Sequence, residues 1–282
     1  MPEFSDLFDR CALQRAFART AALDAGANVL CRRVGRELLE RLEYLALAPA
    51  AVLDLGCGAG IEARQLARQY PAARLAGVDV CPELLRWPTT EPGPVRLIGD
   101  AMQLPLVTGS FDLVVSNLLL PWCDTAVILA ECARVLRPGG ALAFTSLGPG
   151  SLQELRTAWA QVDNTSHVHP LVDMHDLGDA LLACGFSEPV LDVDLLTLTY
   201  AELKDLVADL RALGGTNVLA DRRRTLTAPG RWARFAQAYA RLPADDGRLP
   251  ATWEVVFAVA WATGRQVDGH RDAVPVHFDP AG

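Results

Sequence analysis

From Ala51 onward the chain alternates short apolar runs with helix-like stretches, and this alternation constrains the fold more than any other feature. The runs are AVLDLG, ARLAGVDV, VRLIGD, FDLVVSNLL and GALAFTSL, each rich in Val, Leu, Ile or Phe. Strands that are apolar along nearly their whole length must be covered on both faces, which means a parallel sheet with helices on each side. The first strand-to-helix turn lies within AVLDLGCGAGIEARQLARQY, residues 51–70, and carries Gly56, Gly58 and Gly60 at alternate positions. Bare backbone at such a place lets a ligand approach the main chain and a helix N-terminus.

The charges around that turn narrow the ligand. A dinucleotide site uses G-x-G-x-x-G to seat a pyrophosphate, whereas this spacing is G-x-G-x-G with Asp54 two positions ahead of the first glycine. Beside a pyrophosphate that carboxylate is repulsive; beside an ammonium or sulfonium it is favourable. Asp79, 19 positions after Gly60, ends the next strand, where an acid can accept hydrogen bonds from both hydroxyls of a ribose. Asp100, with Ala101 beside it in GDAMQLP, follows a further strand, within reach of an exocyclic adenine amine. Each acid alone reads equally well as a helix cap or turn residue. Three at successive strand ends point to one ligand.

Helical periodicity dominates residues 5–48, where Val34, Leu38, Leu39, Leu42 and Leu45 share a face and two or three helices are expected. After Leu147 the rhythm slows: helices are expected near 150–162 and 173–184, then strand-like PVLDVDLLTLTY and, at 252–263, TWEVVFAVAWAT. Between those last two strands lies a helical, Arg-rich insertion, long for a hairpin connection and of the kind that caps a site. The expected organisation is an N-terminal helical segment (1–48), a ligand-binding α/β core (49–200), a helical cap (201–250), a final core strand (251–264) and a frayed polar tail (265–282).

Net charge −8 argues against a nucleic-acid binder, and no apolar run approaches the roughly 18 residues of a membrane span. The N-terminal residues show no apolar segment ahead of a cleavage site, so the expectation is mature sequence in the cytoplasm. The seven cysteines are scattered without a Cys-x-x-Cys pair and read as reduced thiols. His167, His169 and His175 suggest a metal centre, but no Cys or acid stands at completing spacing; no metal is assigned. Asp173 and Asp176 read instead as the N-cap and N3 residues of a helix. Cys57 is either a thiol activated by the helix N-terminus or a small side chain tolerated beside the ligand, the second being preferred. Residues 211–248 sum to +5, leaving the remainder near −13; such a run is either a solvated face or a docking surface.

Together VLDLGCGAG (52–60), GVDV (77–80), GDAMQLP (99–105), FDLVVSNLLLPW (111–122) and ARVLRPGGALAF (133–144) resemble the class I S-adenosylmethionine-dependent methyltransferases. The resemblance implies a Rossmann-like, seven-stranded, mostly parallel sheet with an antiparallel last strand. It makes Gly56, Gly58 and Gly60 the bed for the methionine portion of S-adenosylmethionine, Asp79 the ribose acceptor, Asp100 the adenine partner and Asn117 a residue near the methyl group. SNLLLPW lacks the Asn/Asp-Pro-Pro-aromatic box of enzymes that methylate nucleic-acid amines.

The C-terminal half is similar to the biotin-synthesis malonyl-acyl-carrier-protein O-methyltransferases through SLGPGSLQELRTAWAQVD, HPLVDMHDLGDALLACGF, VLDVDLLTLTY, DLRALGGTN, DRRRTLTAPGR and GRLPATWEVVFAVAWA, and FARTAA at 17–22 extends the likeness over nearly the whole chain. Implied are methyl transfer to the free carboxylate of a malonyl thioester and an acyl carrier protein or malonyl-CoA as partner, with a monomeric enzyme expected. Leu23-Asp24 stands where that family usually has a Tyr, and Ala208 where an Arg is common. Arg211, or Arg222 to Arg224, is then expected to supply the charge for the substrate carboxylate. The same C-terminal signature also resembles the methyltransferase-like assembly factors of respiratory complex I, which implies a protein arginine hydroxylase as the alternative. A non-catalytic S-adenosylmethionine-binding protein is the third reading.

Overall fold

The computed structural model describes residues 7–23, 28–86, 94–242 and 247–265; Asp24 and the tail beyond Arg265 lie outside them. Two helices come first, α1 (Arg10–Thr20) and α2 (Val29–Glu43), each started by a side chain that accepts from the first turn: Asp9 from Ala12 N at 3.0 Å and Asn28 from Cys31 N at 2.9 Å. The α2 face foreseen from the sequence is the buried one, with Val34, Leu38, Leu39 and Leu42 at most 5% exposed and Leu45 packed alongside.

The sheet is built by β1 (Ala51–Leu55), β2 (Arg74–Asp79), β3 (Val95–Ile98), β4 (Phe111–Ser116), β5 (Leu136–Leu147), β6 (Phe186–Tyr200) and β7 (Leu249–Ala262), in the order β3-β2-β1-β4-β5-β7-β6. Pairs among the first five strands are parallel, while β7 runs antiparallel to both β5 and β6. Helices α3 (Ile61–Gln69), α4 (Thr125–Val135), α5 (Gln153–Ala160) and α6 (Met174–Ala183) make or follow the crossovers. Strand residues feed two cores alternately. Val52, Leu113 and Val115 pack with α2, α3 and α5 on one face; Leu53, Leu55 and Val114 pack with α4 and α6 on the other. The strand order reverses between β1 and β4, so a crevice opens at their carboxyl ends.

The insertion forms α7 (Leu203–Ala212) and α8 (Pro229–Tyr239). It is not a separate folding unit: Leu206, Leu210, Phe235, Ala238 and Tyr239 are buried in the same core as Val52 and Leu113. Trp159 of α5 stacks on Phe235 at 4.2 Å, and Tyr239 Oη donates to the Pro250 carbonyl at 2.6 Å. The strand that follows begins at Leu249, inside the span expected for the insertion. Residues 213–228, between α7 and α8, cross over to α1: Phe8 bridges Leu219, and Phe8, Ala16, Trp122, Val218 and Leu219 form a small third core.

Candidate functional site

Gly56, Gly58 and Gly60 all have positive φ (73°, 49° and 67°), the left-handed backbone that glycine adopts without strain, which is why the chain can turn from β1 into α3 within so few residues. The turn is fastened to β2. Gly56 and Cys57 N–H donate to the Val78 carbonyl, Gly58 N donates to Asp79 Oδ2 at 2.9 Å, and Cys81 N donates to Asp79 Oδ1 at 2.8 Å. Each Asp79 oxygen thus holds a loop and retains a lone pair for a ligand hydroxyl.

Across the crevice, Asn117 follows β4. Its amide donates to Glu62 Oε1 at 2.9 Å and to the Cys31 carbonyl at 3.0 Å, and its oxygen accepts from Thr145 Oγ1 at 2.8 Å. Such full satisfaction fixes the amide's orientation. Helix α2 approaches this pair at Gly35, where a Cβ would run into the Glu62 carboxylate and the Asn117 amide. At the far end Asp100 accepts from Met102 N at 2.9 Å and lies 3.8 Å from the Arg10 guanidinium.

These groups converge on a cavity of about 280 Å³, near the lower end of the roughly 300–1,000 Å³ usual for small-molecule sites and far larger than a metal ion needs. One wall is Gly56, Gly58, Glu62, Asp79, Asp100, Ala101 and Asn117. The other comes from Arg10, Leu13 and Phe17 of α1, Cys31 and Arg32 of α2, and Ala212 and Leu213 at the end of α7. Asp54 and Gly60 stand behind the lining. Asp54 is only 2% exposed and its Oδ2 has no partner.

Burial pushes the carboxyls of Asp54, Glu62 and Asp79 above their usual range, and for Asp54 the neighbouring Glu62 and Asp79 charges add to it. Of the three, Glu62 and Asp79 line the cavity, and a cation bound there would favour their ionised forms. Cys57 is pushed up as well, by burial and then by Asp54 and Asp79, so the activated-thiol alternative gives way to a small side chain beside the ligand. His167 stacks on Trp159 at 3.8 Å and pairs with Asp163, while Asp173 caps α6 with Asp176 in its first turn, as expected, and accepts from His175 N. Among the described residues, no group of three or more His, Cys, Asp or Glu is arranged to hold a metal.

Arg211 is placed elsewhere. The helical phase of α7 turns it outward and leaves it exposed, so the cavity wall there is Ala212 and Leu213. Arg10 and Arg32, which sequence reasoning missed, are the arginines that line the cavity. Their role depends on how α1 and α2 pack, and no local motif marks them. Glu62 was missed too, although its position in the first turn of α3, just after the glycines, is a readable signal.

A family profile described as "Methyltransferase domain" matches residues 53–144. The malonyl-acyl-carrier protein O-methyltransferase of Laribacter hongkongensis is 41% identical, over 95% of this chain and 96% of that protein. The protein of the same name from Gallionella capsiferriformans is 42% identical over 95% of each. The chain belongs to the malonyl-acyl-carrier protein O-methyltransferase family. S-adenosylmethionine-dependent O-methyl transfer is therefore its chemistry, with S-adenosylmethionine as cofactor. The hydroxylase and the non-catalytic readings gain nothing from these relatives. The fold matches that of the YcgJ protein from Bacillus subtilis, with TM-score 0.58 at 17% identity over 80% of this chain and 98% of that one. Among the described residues no helix is long and apolar enough to cross a membrane.

Proposed function

We propose that the cavity seats S-adenosylmethionine with its ribose on Asp79, its adenine toward Asp100 and Ala101, and its methionine end over the glycine turn between Glu62 and Asn117. The residues present fit that molecule: the Glu62 carboxylate on the cavity wall suits an ammonium or sulfonium, each Asp79 oxygen can accept from a ribose hydroxyl, and a Cβ on Gly58 would project into open space. Bound there, S-adenosylmethionine supplies a methyl group on a sulfonium; a carboxylate oxygen takes that methyl as an ester and the sulfur is left neutral. The chain's own work is alignment. Asn117 fixes Glu62, and Leu13 and Phe17 of α1 close the cavity against water.

The acceptor is the free carboxylate of a malonyl group carried on an acyl carrier protein, masked as its methyl ester at the start of biotin synthesis. A carboxylate is ionised at neutral pH, so no general base is required. The observation that carries this reading is the extent of the similarity. The alignments behind 41% and 42% identity cover 95% of this chain, well beyond residues 53–144 matched by the general methyltransferase profile. Residues 201–248 serve as the substrate cap, and the carboxylate's counter-charge belongs to Arg32 or Arg10, which face the cavity, in preference to Arg211. Purified protein incubated with labelled S-adenosylmethionine and malonyl-acyl-carrier protein should yield a base-labile methyl ester. Cofactor binding without ester formation from either the carrier or malonyl-CoA would overturn the malonyl reading.

A further inference from the structure

We propose that the outward-facing arginines of the insertion, Arg223, Arg224, Arg234 and Arg241, with the exposed Leu226 and Trp232 of the same segment, form the surface on which an acidic carrier protein docks to deliver its acyl arm to the cavity. The inference rests on the carrier-linked substrate proposed above and adds where the carrier binds.

Charge is the first argument. Residues 211–248 sum to +5 in a chain of net charge −8, and the structure divides their arginines into two kinds. Arg222 and Arg231 are structural: Arg222 pairs with Asp9 at 2.9 Å and Arg231 with Asp163 at 3.0 Å, both largely covered. The others face outward. Arg224 is 74% exposed at 4.0 Å from Asp9, Arg223 bonds only the Thr225 hydroxyl, and Arg234 and Arg241 are exposed with no acidic partner among the described residues. An excess of outward-facing positive charge attracts an acidic partner and steers it toward the site.

Apolar exposure in the same segment is the second. Leu226 is 94% exposed and Trp232 is 40% exposed, its ring kept in place by Phe235 at 5.3 Å. Trp and Arg are the residue types that dominate binding energy at protein interfaces. Placement is the third. The segment leaves the cavity wall at Leu213, and Arg222 holds Asp9, the cap of α1 and the neighbour of the cavity-lining Arg10. The basic surface therefore starts at the cavity rim, and α8 anchors it to the core through Phe235 and Tyr239.

Malonyl-CoA provides the control, since it offers the same malonyl thioester without a protein surface. Arg223→Glu with Arg224→Glu, Arg234→Glu alone, and Trp232→Ala alone should each leave S-adenosylmethionine affinity and kcat/KM for malonyl-CoA near the parent's. Each should lower kcat/KM for malonyl-acyl-carrier protein, about 10-fold or more for the double charge reversal, chiefly through KM and more deeply at low salt. Arg222 is left intact because it holds α1. Equal losses with carrier and CoA, or no loss with either, would overturn the docking surface while leaving the malonyl reading standing. A parent enzyme that methylates neither substrate would overturn both.

Discussion

Glu62→Gln separates the two effects of the buried acids. In the cofactor-free protein the Glu62 carboxyl is buried, accepts from the Asn117 amide at 2.9 Å and is pushed up in pKa by that burial. Glutamine has the same shape and its amide oxygen can keep accepting from Asn117, so the substitution removes charge and little else. A carboxyl whose pKa rises on folding binds its proton more tightly in the folded chain than in the unfolded one. The resulting cost to stability is absent at low pH, grows as pH climbs from the ordinary carboxylate range through the raised value, and is full above it. Without cofactor at about pH 7.5, the variant should therefore be more stable by about 1–2 kcal/mol, the scale of one imperfectly compensated buried polar group. For a chain of this size that is about 2–8 °C in Tm. Affinity should move the other way. Losing a charge-assisted contact to the cofactor's ammonium costs about 1.5–3 kcal/mol, so S-adenosylmethionine should bind about 10- to 150-fold more weakly. Thermal melts with and without a fixed concentration of S-adenosylhomocysteine read both, because the ligand-induced rise follows RT ln(1 + [L]/Kd). The gain without ligand should shrink as pH is lowered into the ordinary carboxylate range, and the ligand-induced rise should shrink at every pH. A variant whose free Tm is unchanged or lower, and whose ligand response is intact, would refute the cation-receptor argument.

Four further outcomes follow from the same geometry. Asp79→Asn retains one acceptor but puts an amide against Gly58 N or Cys81 N, so calorimetry should show cofactor affinity reduced about 10-fold or more with the chain still folded. Gly35→Ala, which would favour a helix elsewhere, should displace Glu62 and Asn117 and weaken cofactor binding more than it alters Tm. Arg32→Gln should raise KM for the malonyl substrate several-fold, whereas Arg211→Gln should leave steady-state kinetics with malonyl-CoA unchanged. His169 is held to about 4 by burial against its ordinary 6.5, so between those values the unfolded chain binds a proton that the folded chain does not. Stability should fall as pH is lowered through that window, by at most about 3 kcal/mol, and His169→Gln should flatten this part of the Tm profile.

The glycine-turn wall of the cavity was legible because its determinants are local. Gly56, Gly58 and Gly60 are needed by a turn whose backbone requires positive φ, and Asp79 sits where a strand must end; both requirements are written within a few neighbouring residues. Strand runs such as FDLVVS were readable for the same reason, since apolar side chains facing two cores leave no polar alternation to confuse. Element ends were less so. β7 starts at Leu249 and β6 at Phe186, earlier than their apolar runs suggest, because each is extended by pairing with the other along its length and not by its own composition.

The opposite wall of the cavity was illegible for a different reason. Arg211 and Ala212 are neighbours in sequence, yet the helical turn of α7 sends the arginine to solvent and the alanine to the cavity, and no residue-type rule predicts which. Arg10 and Arg32 acquire their positions only when α1 and α2 fold over the crevice. α1 is held there by the Asp9–Arg222 pair and by Phe8 against Leu219, contacts that span more than half the chain. An arginine-rich run therefore contains residues of opposite kinds: Arg222 secures the cavity's cover, while Arg223 and Arg224 project from it. Changing all three together would confound loss of the lid with loss of docking. Only Arg222→Ala, which should lower cofactor affinity by loosening α1, tests the first effect by itself, and unchanged affinity in that variant would show that α1 holds the cavity closed without it.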